Sequence, residues 1–100
     1  MIKVKQIKEN EVVTEVPAFI KNKPCNNRYR VYVTRDEGGK ILVGIEQLFT
    51  SGNWSGTGGR WFLSTLLEGG VNDKLYMDYG QDWYVTGMKE VVDQIVEDYV

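Results

Sequence analysis

A chain of 100 residues, 42% hydrophobic and 26% charged, has the size and balance of one globular domain spanning residues 1–100, and this excludes wholesale disorder. The formal charge is only −2, histidine is absent and cysteine occurs once, at Cys25. Those counts remove histidine-based catalysis, histidine metal ligands and any disulfide within the chain. No apolar run approaches the roughly 18 residues that cross a bilayer, and no signal-peptide pattern opens the chain, so a cytoplasmic protein away from membranes is expected.

Residues 2–7 read as a first strand, and Asn10 as a turn. Residues 12–20 read as a second strand with Val12, Thr14, Val16, Ala18 and Ile20 on one face. Pro17 within it has no N–H and suits an edge or a bulge. Residues 21–27, with Pro24 and Asn26-Asn27, form a polar connection. Residues 29–35 give the clearest strand. Tyr29, Val31 and Val33 share one face, and Arg28, Arg30, Tyr32 and Thr34 share the other. Asp36-Glu37-Gly38-Gly39 supplies a tight turn, and residues 40–45 return as a fourth strand.

Residues 46–50 fit a helical turn or a strand end. Residues 51–59 contain four glycines and read as a loop. Residues 60–68 read as a short helix carrying Phe62, Leu63, Leu66 and Leu67 on one face, with Gly69 at its end. Residues 74–79 and 83–85 form a second hairpin around Gly80-Gln81. Residues 88–99 hold the strongest helical pattern: Met88, Val91, Val92, Ile95, Val96 and Tyr99 recur at helical spacing, opposite Glu90, Asp93, Gln94, Glu97 and Asp98. Thr86 or Gly87 is its N-cap. The order ββββαββα predicts an α+β fold, with an antiparallel sheet of five or six strands and two helices packed on one face.

Chemistry is sparse. Cys25 has no partner for nucleophilic or zinc chemistry and reads as a buried or incidental thiol. The acidic pairs Asp78/Asp82 and Glu97/Asp98 lack calcium-loop spacing and read as turn or surface residues. Asn53-Trp54-Ser55 matches the glycosylation triplet, which matters only in a secretory compartment. No cofactor, metal site or enzymatic activity is expected.

Two segments suggest binding. Around the glycines, Ser51, Trp54, Ser55, Thr57, Gly58, Gly59 and Arg60 offer hydroxyls, a guanidinium, an indole and backbone N–H groups that a nest would aim at an anion. A phosphorylated small ligand or nucleotide is the ligand class this implies. The established templates fail, because Gly59-Arg60-Trp61 stands where a P-loop needs Gly-Lys-Ser/Thr, and Trp61 where a dinucleotide fingerprint needs glycine. The competing reading is a structural connection with Trp54 or Trp61 in the core. The second segment follows from charge. The first fifty residues carry nine Lys and Arg against six acidic residues, and the last fifty carry three against eight. Arg28, Arg30 and Tyr32, with the loop residues Trp54 and Arg60, are the surface candidates for an acidic protein partner, and Lys3 and Lys5 extend the basic strand face of Arg28 and Arg30. Single-stranded nucleic acid is the third reading, opposed by an isoelectric point near 5.1.

In size, acidity and lack of catalytic signatures the chain resembles the small accessory proteins of phages and mobile elements, including anti-CRISPR and other anti-defence proteins. The likeness rests on size and composition, and no residue role transfers with it. It implies a non-enzymatic inhibitor or occluder of a macromolecular partner. A homodimer is also expected, because the apolar stripe of residues 88–99 is wide for a small domain.

Overall fold

Alternation along residues 29–35 meets a second alternating run across a tight turn, and the rest of the chain is built on that hairpin. The computed structural model describes residues 9–77 and 82–100. The strand expected at residues 2–7, with Lys3 and Lys5, and the turn residues Asp78, Gly80 and Gln81 lie outside the described residues. In chain order the elements are β1 (Glu11–Val16), β2 (Ala18–Ile20), β3 (Lys23–Pro24), β4 (Tyr29–Arg35), β5 (Ile41–Leu48), β6 (Trp54–Phe62), α1 (Leu63–Glu68), β7 (Leu75–Tyr76), β8 (Trp83–Val85) and α2 (Met88–Tyr99). The class is α+β with antiparallel sheets and a C-terminal helix, as the element order implied. No helix among the described residues is long and apolar enough to cross a membrane.

The described strands divide into two sheets of four, β1-β4-β5-β6 and β3-β2-β8-β7, where one sheet of five or six strands was expected. Pro17 is the reason. Without an N–H it cannot continue the ladder, so the expected strand at residues 12–20 breaks there and its two halves enter different sheets. The Pro17 carbonyl still accepts the Thr86 N–H at 3.1 Å, which ties the crossing to the second sheet. The expected facing also shifts. A bulge between Val12 and Thr14 leaves Val12 48% exposed and packs Val13 against the core. Residues 21–24 are more ordered than a polar connection: Lys21 and Asn22, both at positive φ, make the tight turn that pairs β2 with β3.

The β4–β5 hairpin pairs as expected, and β5 runs on to Leu48. Asp36 closes its turn by accepting the Lys40 N–H on Oδ1 at 2.8 Å. Tyr29, Val31, Val33, Val43 and Ile45 have no exposed surface. They form one cluster with Ala18 and Val85 of the second sheet, Leu63 of α1, and Met88, Val91, Val92, Ile95 and Tyr99 of α2. Each such side chain contributes about 1.5–3 kcal/mol through burial. The α2 stripe is therefore used inside the domain, so the surface expected to favour a homodimer is not on offer. Gly87, at φ 80°, is the N-cap of α2, and the Tyr99 hydroxyl donates to Glu11 Oε2 at 2.7 Å, pinning the far end to β1.

Residues 54–62 depart furthest from expectation. They are a strand, and only residues 49–53 form a turn, closed by the Gly52 N–H on the Phe49 carbonyl and the Phe49 N–H on the Asn53 carbonyl. Glycine carries no side chain, so Gly56, Gly58 and Gly59 hide the two-residue period that would mark a strand. β6 also spends five residues, from Ser55 to Gly59, against three of β5, from Gln47 to Ile45, and this bulge scrambles the alternation further. Arg60, Trp61 and Phe62 end this strand, so α1 starts at Leu63 and has six residues. Its end is turned by Gly70 at φ 73°, whose N–H reaches the Leu67 carbonyl, whereas Gly69 keeps a negative φ.

Candidate functional site

Facing pairs in an antiparallel sheet share a side, so the registers fix what the outer face of the first sheet presents. Four rows cross it: Val12, Tyr32, Gly44 and Arg60; Thr34, Leu42 and Phe62; Glu15, Arg30 and Glu46; and Leu48 with Trp54. At the Trp54 end two guanidiniums converge. Arg30 Cζ lies 4.3 Å from the indole centroid and Arg28 Cζ lies 5.7 Å from it. Each guanidinium is oriented by a carboxylate. Arg28 makes a two-point contact with Glu15, from Nε at 2.8 Å and Nη2 at 2.7 Å, and Arg30 donates from Nε to Glu46 at 2.9 Å. The Arg28 pair stands in solvent, whereas the Arg30 and Glu46 side chains are only 25% and 13% exposed.

Tyr32 lies across Gly44. A Cβ at residue 44 would come within 2.3 Å of the ring, so only glycine lets the phenol lie flat there. The residue is 5% exposed and supports the surface from beneath, which corrects its expected place as a direct partner contact. Burial pushes its phenol above the ordinary tyrosine value, the Arg60 charge pulls it down, and the Glu46 charge pushes it up. Arg60 and Lys40 are exposed and make no ion pair among the described residues, and the Lys40 ammonium sits 5.5 Å over the Phe62 ring.

The anion nest expected over residues 51–60 is not formed. An extended strand sends successive N–H groups to opposite edges, so they do not converge on one atom. Gly58 is filled by Ile45 of the neighbouring strand and offers no space to a ligand. Gly59 alone of residues 54–60 keeps a left-handed φ, at 104°. Ser51 sits exposed near the turn, and Ser55 faces Gln47 on the side opposite Trp54. The Thr57 side chain lies outside the described residues. Trp61 packs against the core as the competing reading expected, while Trp54 does not. Cys25 is half-buried against the same core.

Glu15 and Glu46 were not singled out in the sequence. They lie 13 and 16 residues from their arginines, and only strand register brings them together. A row of aromatics on the second sheet also went unread: Phe19 stacks on Tyr84 at 5.3 Å, and Tyr84 meets Tyr76 at 5.4 Å. Among the described residues no group of three or more Cys, Asp or Glu is placed to hold a metal ion. Comparison with known proteins finds no matching family model, no matching curated protein and no matching solved structure.

The Glu15 pair has a pH signature. Hydrogen bonds from Arg28 hold the Glu15 carboxyl below the usual carboxylate range, against a smaller opposing effect of desolvation and with help from the Arg28 and Arg30 charges. A lowered folded-state pKa contributes stability that is complete above the ordinary carboxylate value and is lost as pH falls through the lowered one. The pair is solvent-exposed, so the contribution is small. Carbon-detected NMR of the Glu15 carboxyl is expected to show a depressed midpoint that rises toward the ordinary value in Arg28→Ala. A midpoint that Arg28→Ala leaves unchanged would show that the pair does not persist in solution.

Proposed function

We propose that this chain is a small non-enzymatic binding protein that occludes a protein partner with the outer face of its first sheet, in the manner of the inhibitory accessory and anti-defence proteins of phages and mobile elements. The observation that carries the reading is Trp54 beside Arg30 at 4.3 Å, with Arg30 itself held by Glu46. Tryptophan and arginine dominate binding energy at protein interfaces. Side chains already held in one geometry lose little entropy on association. Val12 and Phe62, 48% and 39% exposed, add apolar surface to the same face. Arg60 and Lys40 favour an acidic partner. A phosphate backbone is less suited, because Glu15 and Glu46 already engage Arg28 and Arg30.

The pairing also decides which variant tests the face. Arg30→Glu would set two carboxylates together in a half-buried position and cost stability. Arg60→Glu and Trp54→Ala are cleaner. With a partner captured from host lysate, Trp54→Ala is expected to weaken binding by about 2 kcal/mol or more, roughly 30-fold. Arg60→Glu is expected to slow association, with a reduced dependence of the on-rate on salt and an unchanged melting temperature. Full, salt-insensitive binding by both variants would place the interface elsewhere.

A further inference from the structure

The second sheet is made of short strands, and register lines up the side chains of its outer face. Phe19 of β2 pairs with Pro24 of β3 on one side and Tyr84 of β8 on the other, and Tyr84 pairs with Tyr76 of β7. Successive side chains point to opposite faces, so Ala18 and Val85 enter the core cluster while Phe19 and Tyr84 stand outside it. Pro24, Phe19, Tyr84 and Tyr76 thus form one row across all four strands. Phe19 lies nearly parallel to Tyr84, at 15° and 5.3 Å, whereas Tyr76 is turned by 54° from Tyr84 at 5.4 Å. Tyr76 is 55% exposed, Pro24 is exposed, Phe19 is half-buried and Tyr84 is buried. The Tyr84 hydroxyl donates to Asn22 Oδ1 at 2.9 Å, and the Lys74 ammonium stands 4.8 Å over the Tyr84 ring.

We propose that this row docks a proline-rich segment of a protein partner, held in the polyproline II conformation and followed by an acidic residue. The pairs Pro24–Phe19 and Tyr84–Tyr76 are centred two strands apart, about 9.6 Å. One polyproline II turn of three residues rises about 9.3 Å, so prolines at i and i+3 reach both pairs. Such a segment has no internal hydrogen bonds and offers its carbonyls to outside donors. Asn22, exposed and accepting from Tyr84 on Oδ1, keeps its NH2 group as a donor, and the exposed Tyr76 phenol is another. A segment already extended loses little entropy on docking. Lys74 sets a positive charge against the row itself, and a carboxylate following the prolines complements it.

The same geometry disfavours single-stranded nucleic acid. A base stacks on an open ring face, and Phe19 and Tyr84 cover one another. Asp82, exposed one residue before β8, and the isoelectric point near 5.1 oppose a polyanion. The row shares no residue with the outer face of the first sheet, so it stands or falls independently of the occlusion reading.

The test is an amide NMR titration of the full chain with a capped peptide of six prolines followed by two aspartates. Saturable shifts are expected at the Phe19, Tyr76 and Tyr84 amides. A glycine-serine peptide with the same two aspartates is expected to leave them unmoved, and the proline peptide ending in two lysines to bind more weakly. Tyr76→Ala is expected to weaken the proline peptide about tenfold or more, and Lys74→Glu to reverse the preference between the aspartate and lysine tails. Should Tyr76→Ala fail to fold, the peptide comparison and Lys74→Glu still decide. No saturable shift at the three amides in the unmodified protein would overturn the proposal. So would equal binding of the glycine-serine peptide, full affinity in a folded Tyr76→Ala, or a tail preference that Lys74→Glu leaves unchanged. Tighter saturation of the same amides by an oligothymidylate would overturn it in favour of nucleic acid.

Discussion

Ile95→Ala is expected to cost about 2–5 kcal/mol, and Glu97→Ala less than about 0.5 kcal/mol, in urea unfolding. Ile95 has no exposed surface and belongs to the cluster in which α2 meets both sheets. Its truncation removes buried methyl groups and leaves a cavity that the surrounding β4 and β5 side chains, themselves fully buried, have little freedom to fill. Glu97 stands on the exposed face of the same helix. A domain of this size holds roughly 5–15 kcal/mol in total, so the Ile95 loss alone removes a large share. It corresponds to a fall in melting temperature on the order of 10–25 °C. Similar losses from the two variants would mean that the helix is rotated relative to this packing.

Gly58→Val is expected to destabilise the fold by at least about 1–3 kcal/mol, the usual cost of overpacking. A Cβ at residue 58 would lie 2.5 Å from Ile45 Cβ, 2.7 Å from its Cγ2 and 3.2 Å from its carbonyl oxygen. None of those atoms is the free end of a flexible side chain, and Ile45 is fully buried in an interior strand. The backbone must move, and the β5–β6 pairing moves with it. Gly69→Ala is the contrasting case. Its φ is negative and its Cβ would meet nothing within 4 Å, so the change is expected to be neutral or to stabilise by ~0.4–1 kcal/mol through the unfolded state. A Gly58→Val variant as stable as the parent would show that β6 pairs in a different register. A ligand-holding glycine loop predicts the opposite pattern, in which Gly58→Val loses binding and keeps its stability.

Legibility in the sequence followed the side chains. The β4 strand and α2 carried their periods openly, because an apolar residue occupies each inward position, and both have the expected bounds. β6 carried its period through glycines and a bulge, so a strand read as a loop and the first residues of a helix were misplaced by three. The face of residues 12–20 was misread for a related reason. One bulge at Val12–Thr14 inverts every inference drawn from alternation upstream of it. Of the candidate surface, Arg28, Arg30, Trp54 and Arg60 were visible as residue types suited to recognition. Their carboxylate partners were not, since Glu15 and Glu46 acquire meaning only across strands.

By itself the sequence determined composition-level exclusions, the α+β class, the central hairpin and the amphipathic C-terminal helix. These depend on local periodicity and turn chemistry, which a chain carries wherever it is. Tertiary structure alone decided that Pro17 divides the strands between two sheets, that Gly44 and Gly58 make room for Tyr32 and Ile45, and that Trp54 lies beside two arginines held by carboxylates. Each of these depends on register and on which elements pack together. Both are set by the free energy of burying the whole core at once, a quantity that no local stretch of sequence contains.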